Sequence, residues 1–178
     1  PDSLIGREML MVSRIAKAAD NLAYGGENLH NQVLRWDLLD KKLLLRVVSY
    51  NNVANDSLPV YLSVQNSNFE PIIMSFPLKT MSKDSSGYVI EVTDLFNTDV
   101  PALNLTSRVK KRYKISSLDN SRSFIKSIKS FPMNIEARHI MTYKAGEPPS
   151  NATTGSVSVE INNSLVLLPK EPMQPRIF

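Results

Sequence analysis

Two short motifs contain every histidine of this 178-residue chain: Glu27 stands three positions before His30, and Glu136 three positions before His139. Glu-x-x-His is the half-motif from which helical bundles build di-iron and di-manganese sites. In a helix, positions three apart share a face, so Glu136 and His139 would point at one metal ion. The spacing therefore raises the question of whether the protein is a metalloenzyme.

The residues around each motif argue against a metal site. Residues 135–143 form an alternating pattern, which is typical of a strand and puts Glu136 and His139 on opposite faces. His30 follows a Gly-Gly pair and precedes a strand, so we expect it to lie in a turn. We therefore predict that this chain has no catalytic, cofactor-binding or metal-binding residue.

Other catalytic patterns are missing from the sequence. It contains no H-E-x-x-H, no G-x-S-x-G, no P-loop and no G-x-G-x-x-G. The absence of cysteine excludes disulfides, thiol catalysis and thiolate zinc sites. A triad of either histidine with a distant serine and aspartate stays open, because triads are spatial arrangements rather than sequence patterns.

One basic run, from Arg108 to Lys114, places five cations around Tyr113. Such a run suits phosphates, and the aromatic ring suits stacking with bases. A single short run is more typical of a solvated loop or an interdomain contact, and the formal net charge of +4 is small. We expect no nucleic-acid partner.

Alternating apolar residues predict strands in most of the chain. "QVLRW" and "KLLLRVVSY" flank a break at residues 40–42 and predict a hairpin, with the second run as a central strand. Residues 72–79 predict a strand that a turn at "KDSSG" joins to residues 88–92, and Pro77 indicates an edge or a bulge. "SVSVEI" and "SLVLLP" predict a third hairpin that turns at Asn162 and Asn163. The opening "REMLMVSRIAKAAD" fits a strand or a helix, and we favour the strand.

Two segments predict helices. Ser57 as a cap and Pro59 in the first turn favour a short helix from about Leu58 to Gln65. From about Ser121 to Phe131 the apolar residues share one helical face, which indicates a helix on the sheet. The predicted fold class is α+β: an antiparallel or mixed β-sheet built from hairpins, with one or two helices packed on it.

The apolar fraction of 42% is enough to fill one core. We predict a single β-rich domain over residues 1–168, and a proline-rich extended tail over residues 169–178 that leads to a following domain. No signal peptide or membrane span is visible, and we interpret the chain as a piece of a longer polypeptide.

Several stretches together resemble a known type of sequence: "PDSLIGREMLMVSRIAK", "LLLRVVSYNNVANDSLPVYLSVQNSNFEPII", "VIEVTDLFNTD", "SRSFIKSIKSFPMNIEARHIMTY" and "EPPSNATTGSVSVEINNSLVLLP". They are similar to the uncharacterised N-terminal region that precedes the catalytic domain in large exported zinc-dependent metallopeptidases of Gram-negative gut anaerobes. The likeness runs from Pro1 to the "PMQPR" that ends at Arg176.

The resemblance implies a context rather than a site. In that family a metzincin-type H-E-x-x-H-x-x-G-x-x-H binds the zinc, and none of those residues is present here, so no role is transferred to any position. It implies a noncatalytic accessory domain whose partners are the catalytic domain of the same polypeptide and a protein or peptide substrate. Zinc is expected in that catalytic domain, no cofactor in this chain, and export to the periplasm or cell surface. The alternative is a free-standing peptide- or glycan-binding module.

Overall fold

The computed structural model describes residues 4–149 and 153–171. The strands in these residues are β1 (Glu8–Lys17), β2 (Asn28–Leu39), β3 (Lys42–Val48), β4 (Ile72–Pro77), β5 (Thr80–Met81), β6 (Tyr88–Val89), β7 (Ile115–Leu118), β8 (Phe124–Ser130), β9 (Asn134–Ala145) and β10 (Ser156–Leu167). The helices are α1 (Tyr61–Ser67), α2 (Thr93–Asn97) and α3 (Ser107–Arg112), with a 3₁₀ turn at Asn120–Arg122.

Eight strands form one antiparallel sheet in the order β4-β3-β2-β1-β10-β9-β7, with β8 also paired to β9, and this sheet curls into a half-barrel. The strands β5 and β6 form a separate small ribbon. Strands hold 45% of the residues that the structure describes, and the helices among them have only five to seven residues. The predicted β-rich sheet is confirmed, whereas the α component of the predicted α+β class is minor.

The core lies on one face of the sheet, which we call the inner face. There Met11, Leu34 and Leu45, from three neighbouring strands, pack with Leu95 and Phe96 of α2. A second cluster on this face contains Ile15, Leu105, Tyr113, Met141, Tyr143 and Ile161. Burying one such side chain contributes about 1.5–3 kcal/mol, so these contacts fix which face of each strand points inward.

Most of the strand predictions are confirmed. β1 is a strand rather than a helix, β2 and β3 form the predicted hairpin around Asp40, and β3 lies between β2 and β4. Pro77 ends the edge strand β4, as expected of a residue that has no N–H to donate to a neighbouring strand. The predicted strand at residues 135–143 is confirmed as β9.

The helix predicted from Ser121 to Phe131 is wrong, because those residues form the 3₁₀ turn and then β8. An all-helical segment would bury its shared apolar face, yet Phe124 and Phe131 are each 52% exposed. Pairing with β9 supplies backbone hydrogen bonds to a segment whose β-branched Ile125 and Ile128 favour strands. Tertiary pairing therefore overrides the local apolar spacing.

Two predicted hairpins need correction. The third is wrong, because β10 runs without a break through Asn162 and Asn163 and pairs with β1 and β9 along its length. In the second, β4 pairs with β3, and only the short β5 and β6 pair across the turn at "KDSSG". Asparagine signals a turn only when its side chain bonds locally, and both of these side chains bond across the sheet.

The predicted short helix exists as α1, three residues later than expected at its start. Ser57 does not cap it, since the N-cap is Val60 and no side chain makes a capping hydrogen bond. The helix belongs to residues 49–71, which join β3 to β4 and which we call the connection. Most of the proline-rich tail, from residue 172, lies outside the described residues. In the part of the chain that the structure describes, no helix is long and apolar enough to cross a membrane.

Candidate functional site

The structure separates the members of each Glu-x-x-His motif. On β9 the imidazole of His139 faces the core and is fully buried, while Glu136 lies on the opposite, outer face, as predicted. His30 does not lie in a turn, because it is the third residue of β2 and its Nε2 lies 2.8 Å from the carbonyl oxygen of Asn104. Across residues 4–149 and 153–171, no group of three or more His, Cys, Asp or Glu side chains is placed to hold a metal.

His139 belongs to a buried polar chain that crosses three strands. The Nδ2 of Asn163 donates to His139 Nε2 at 2.9 Å, so Nδ1 carries the ring proton and donates to the carbonyl of Phe96 at 2.7 Å. Ser13 completes the chain by donating to the Oδ1 of Asn163. Burial lowers the pKa of His139 despite the bond to Phe96, so the ring is held neutral. The serine reaches the amide rather than the imidazole, so this chain does not have the hydrogen-bond order of a catalytic triad.

Most of the basic run, from Arg108 to Arg112, lies in α3 rather than in a loop, and Tyr113 and Lys114 follow the helix. Thr106 accepts from the backbone N–H of Val109 and caps the helix. Lys110 pairs with Asp99 at 2.6 Å and Lys114 pairs with Glu147, so two of the five cations are used in ion pairs within the domain.

The candidate site is a pocket on the outer face, between the connection and strands β1 to β3, with a volume of about 500 Å³. Its floor is a row of charged residues that the strand register places side by side: Glu8 is opposite Arg35, and Arg35 is opposite Arg46. Two arginines directly opposite each other repel. Asp37 and Glu70 supply the compensating charges.

Arg35 is the centre of this ion network. Its Nε lies 2.9 Å from Asp37, its Nη1 lies 3.2 Å from Glu70, and its Nη2 contacts both carboxylates. The bond to Asp37 contributes most to raising the pKa of the Arg35 guanidinium, against burial and together with Glu70. Arg46 bonds Asp37 at 2.9 Å and the Glu70 carbonyl at 2.8 Å. Glu70 lies one residue before the end of the connection, so both arginines fasten the connection to the sheet.

Two aromatic rings stand at the rim of the pocket. Phe69 is 75% exposed, and the Arg46 guanidinium lies 4.8 Å from its ring centroid. Tyr50 is 54% exposed and donates its hydroxyl hydrogen to Glu8. Partial burial, followed by the bond to Glu8, raises the pKa of Tyr50 to about 12, so the phenol stays protonated. The charges of Arg35 and Arg46 are balanced by those of Asp37 and Glu70, and the pocket presents the two rings beside the amide side chains of Asn52, Gln65 and Asn68.

The sequence of residues 26–178 matches the family described as Domain of unknown function (DUF5117). The chain belongs to this family. No curated protein matches it, and no solved structure does. The outer-face pocket of this DUF5117 domain lies within the matched residues except for Glu8.

Sequence reasoning missed the pocket of the DUF5117 domain entirely. Arg35 and Arg46 were visible as charged residues on predicted strands, and Asp37 directly follows the first of these strands. Glu70 stands 35 residues from Arg35, and nothing in its local sequence indicates that pairing. The strand register and the course of the connection back to the sheet bring Arg35 and Glu70 together.

We expect Arg35→Met to lower the free energy of unfolding by about 2 kcal/mol, because it leaves two partly buried carboxylates without their main partner. The connection should also loosen, and its amide hydrogens should exchange faster. Urea titration and hydrogen exchange measure both effects. The matched control is Arg138→Met. The Arg138 guanidinium lies 3.8 Å from Glu160, and its removal should lower the free energy of unfolding by less than about 0.5 kcal/mol. Equal losses in the two variants would contradict a clamping role for Arg35.

Proposed function

We propose that this chain is a noncatalytic accessory domain of an exported zinc metallopeptidase, located in the periplasm or at the cell surface, and that it packs on the catalytic domain of the same polypeptide. The choice of partner is supported by the resemblance of the quoted stretches to the region before such catalytic domains. In this proposal the zinc and its ligands belong to the catalytic domain, and a protein or peptide is the substrate of the parent enzyme.

The observation that carries the packing is the exposed apolar surface of the connection. Helix α1 contains no buried residue, and Leu58, Val60, Leu62 and Phe69 are 50–75% exposed. A helix of seven residues has little stability by itself, and this one packs no apolar side chain into the core. Clustered exposed apolar side chains mark protein interaction sites, so a second domain packed here would both cover and stabilise the connection.

We expect Leu62→Ser to weaken the association of the two domains in the parent polypeptide while leaving the fold of this domain intact, because the side chain is 69% exposed. The readout is amide hydrogen exchange of residues 58–69. The exchange should be slower in the parent than in the 178-residue chain, and this protection should be lost in the Leu62→Ser variant of the parent. Leu39→Ser is the matched control, since Leu39 is 57% exposed at the opposite end of the β2–β3 hairpin.

Identical exchange of residues 58–69 in the parent and in the 178-residue chain would contradict packing on this surface. The gene gives a separate test of the partner. A reading frame that continues past this chain without any H-E-x-x-H would contradict the assignment to a zinc metallopeptidase.

The alternative function is a free-standing peptide- or glycan-binding module. The exposed rings of Tyr50 and Phe69 favour the glycan form, because they border a pocket that also presents Asn52, Gln65 and Asn68. Aromatic faces and a few amide groups are features that ligand sites combine. Calorimetric binding of a neutral oligosaccharide, in a protein whose gene encodes no catalytic domain, would favour this alternative over the accessory role.

A further inference from the structure

Strand β8 is a free edge of the sheet. It pairs with β9 on one side, and within the described residues no strand pairs with its other side. Most of its residues are exposed, including Phe124 and Ile128. After an irregularity next to Ile125, its register with β9 is regular from Ser127 to Ser130. Such an edge presents backbone N–H and C=O groups to which another strand can bond.

A groove with a volume of about 490 Å³ lies beside this edge on the outer face. Its lining includes Lys126, Lys129 and Arg138 together with the half-exposed ring of Phe131 and the carboxylate of Glu136. The Glu136 carboxylate already accepts hydrogen bonds from Asn134, Asn162 and Ser164. Neutral donors therefore occupy the Glu136 carboxylate, although Lys129 is opposite Glu136 in the strand register.

The charge around the groove is positive. Three cations line it, Lys126, Lys129 and Arg138. They face two carboxylates, Glu136 in the lining and Glu160, which bonds Lys126 at 2.8 Å. Lys129 makes no ion pair with any described residue. An anionic side chain entering the groove would therefore meet an excess of positive charge.

The lysines decide which kind of strand fits the edge. A second copy paired antiparallel on β8 would bring Lys126 and Lys129 of both copies together, and like charges on neighbouring strands repel. A strand with acidic side chains at alternate positions meets the opposite sign. Its acidic face would lie over the groove, and its other face would extend the inner face near Ile128 and Ile135, which are 45% and 41% exposed.

We infer that the β8 edge and its groove bind an extended acidic peptide by strand addition, with main-chain hydrogen bonds to β8 and with acidic side chains on Lys129 and Arg138. This surface is formed by other residues than the connection. The inference therefore stands or falls independently of the packing on a catalytic domain.

The test uses the full 178-residue chain and a synthetic octapeptide of alternating Glu and Val. Calorimetry should show binding that falls as salt is raised, and amide hydrogens of residues 127–130 should exchange more slowly in the complex. The same peptide with N-methyl groups at alternate residues keeps its charge and loses backbone donors, so it should not bind. Lys129→Glu should weaken binding about tenfold or more, because it reverses a charge at the groove. Lys41→Glu, an exposed lysine in the β2–β3 turn, should leave the affinity unchanged.

Three results would overturn the inference. The first is absence of binding by the acidic peptide at low salt. The second is binding of the N-methylated peptide, or of a heparin fragment that competes for the same site, with the same affinity as the acidic peptide. Either result would show a surface that selects charge without strand pairing. The third is an alternating Lys and Val peptide that binds as tightly as the acidic one.

Discussion

Replacing Asn163 by alanine is expected to lower the free energy of unfolding by about 3 kcal/mol, and the melting temperature by about 10 °C. The side chain is fully buried and joins Ser13 to His139. Its removal leaves the hydroxyl of one and the Nε2 of the other without a partner in the core, and it opens a small cavity. Chemical and thermal denaturation followed by circular dichroism measure the change.

Asn162→Ala is the matched control, because the adjacent residue projects to the outer face. Asn162 donates to Glu136 at 2.9 Å and accepts from Arg138 at 3.3 Å, and all three side chains are near solvent. Water can replace these bonds, so the loss should be about 1 kcal/mol or less. Equal losses in the two alanine variants would show that the buried polar chain contributes nothing special to stability.

A second large effect is expected from pH. The ordinary pKa of histidine is 6.5, and burial lowers the pKa of His139 in the folded protein. As the pH falls below about 6.5, His139 therefore takes up a proton in the unfolded chain but not in the folded protein. The free energy of unfolding has its full value above that pH. Below it, this free energy falls by at most about 1.4 kcal/mol for each pH unit, until the pH reaches the pKa of His139 in the folded protein.

Urea titrations between pH 7.5 and 5 test this, and His139→Gln should flatten the slope whatever it does to the absolute stability. His30→Gln is the control, because that variant keeps the buried imidazole. The window stays above the range in which Glu136 and Glu160 take up protons, since the pKa of each carboxyl is lowered from 4.5. An unchanged slope in His139→Gln would contradict a neutral buried imidazole.

The sequence predicted well where burial pattern and strand period agree. The three consecutive leucines of β3 are buried although they alternate between the two faces of the sheet, and the strand lies between β2 and β4; this run was recognisable as a central strand. The alternation around His139 correctly separated that residue from Glu136, since successive side chains of a strand point to opposite faces. Both inferences depend only on neighbours in the chain.

Prediction failed where a distant partner decides the local structure. The segment from Phe124 to Ser130 has apolar spacing that suits a helix, but β9 offers it a free edge, and only Ile125 of its apolar side chains packs against the core cluster. Asn162 and Asn163 are typical turn residues, yet their amides bond across the sheet, so the strand continues through them. The candidate pocket was missed for the same reason.

The sequence by itself therefore determined the β-rich class, the strands β2, β3 and β9, and the opposite orientations of Glu136 and His139. These follow from side-chain period and apolar content, which are local properties. Only the tertiary structure decided that β8 is an edge strand, that Arg35 meets Glu70, and that Ser13 and Asn163, 150 residues apart, share a buried hydrogen bond. Contacts of that separation are fixed by strand order and register, and the local patterns of this sequence do not specify either.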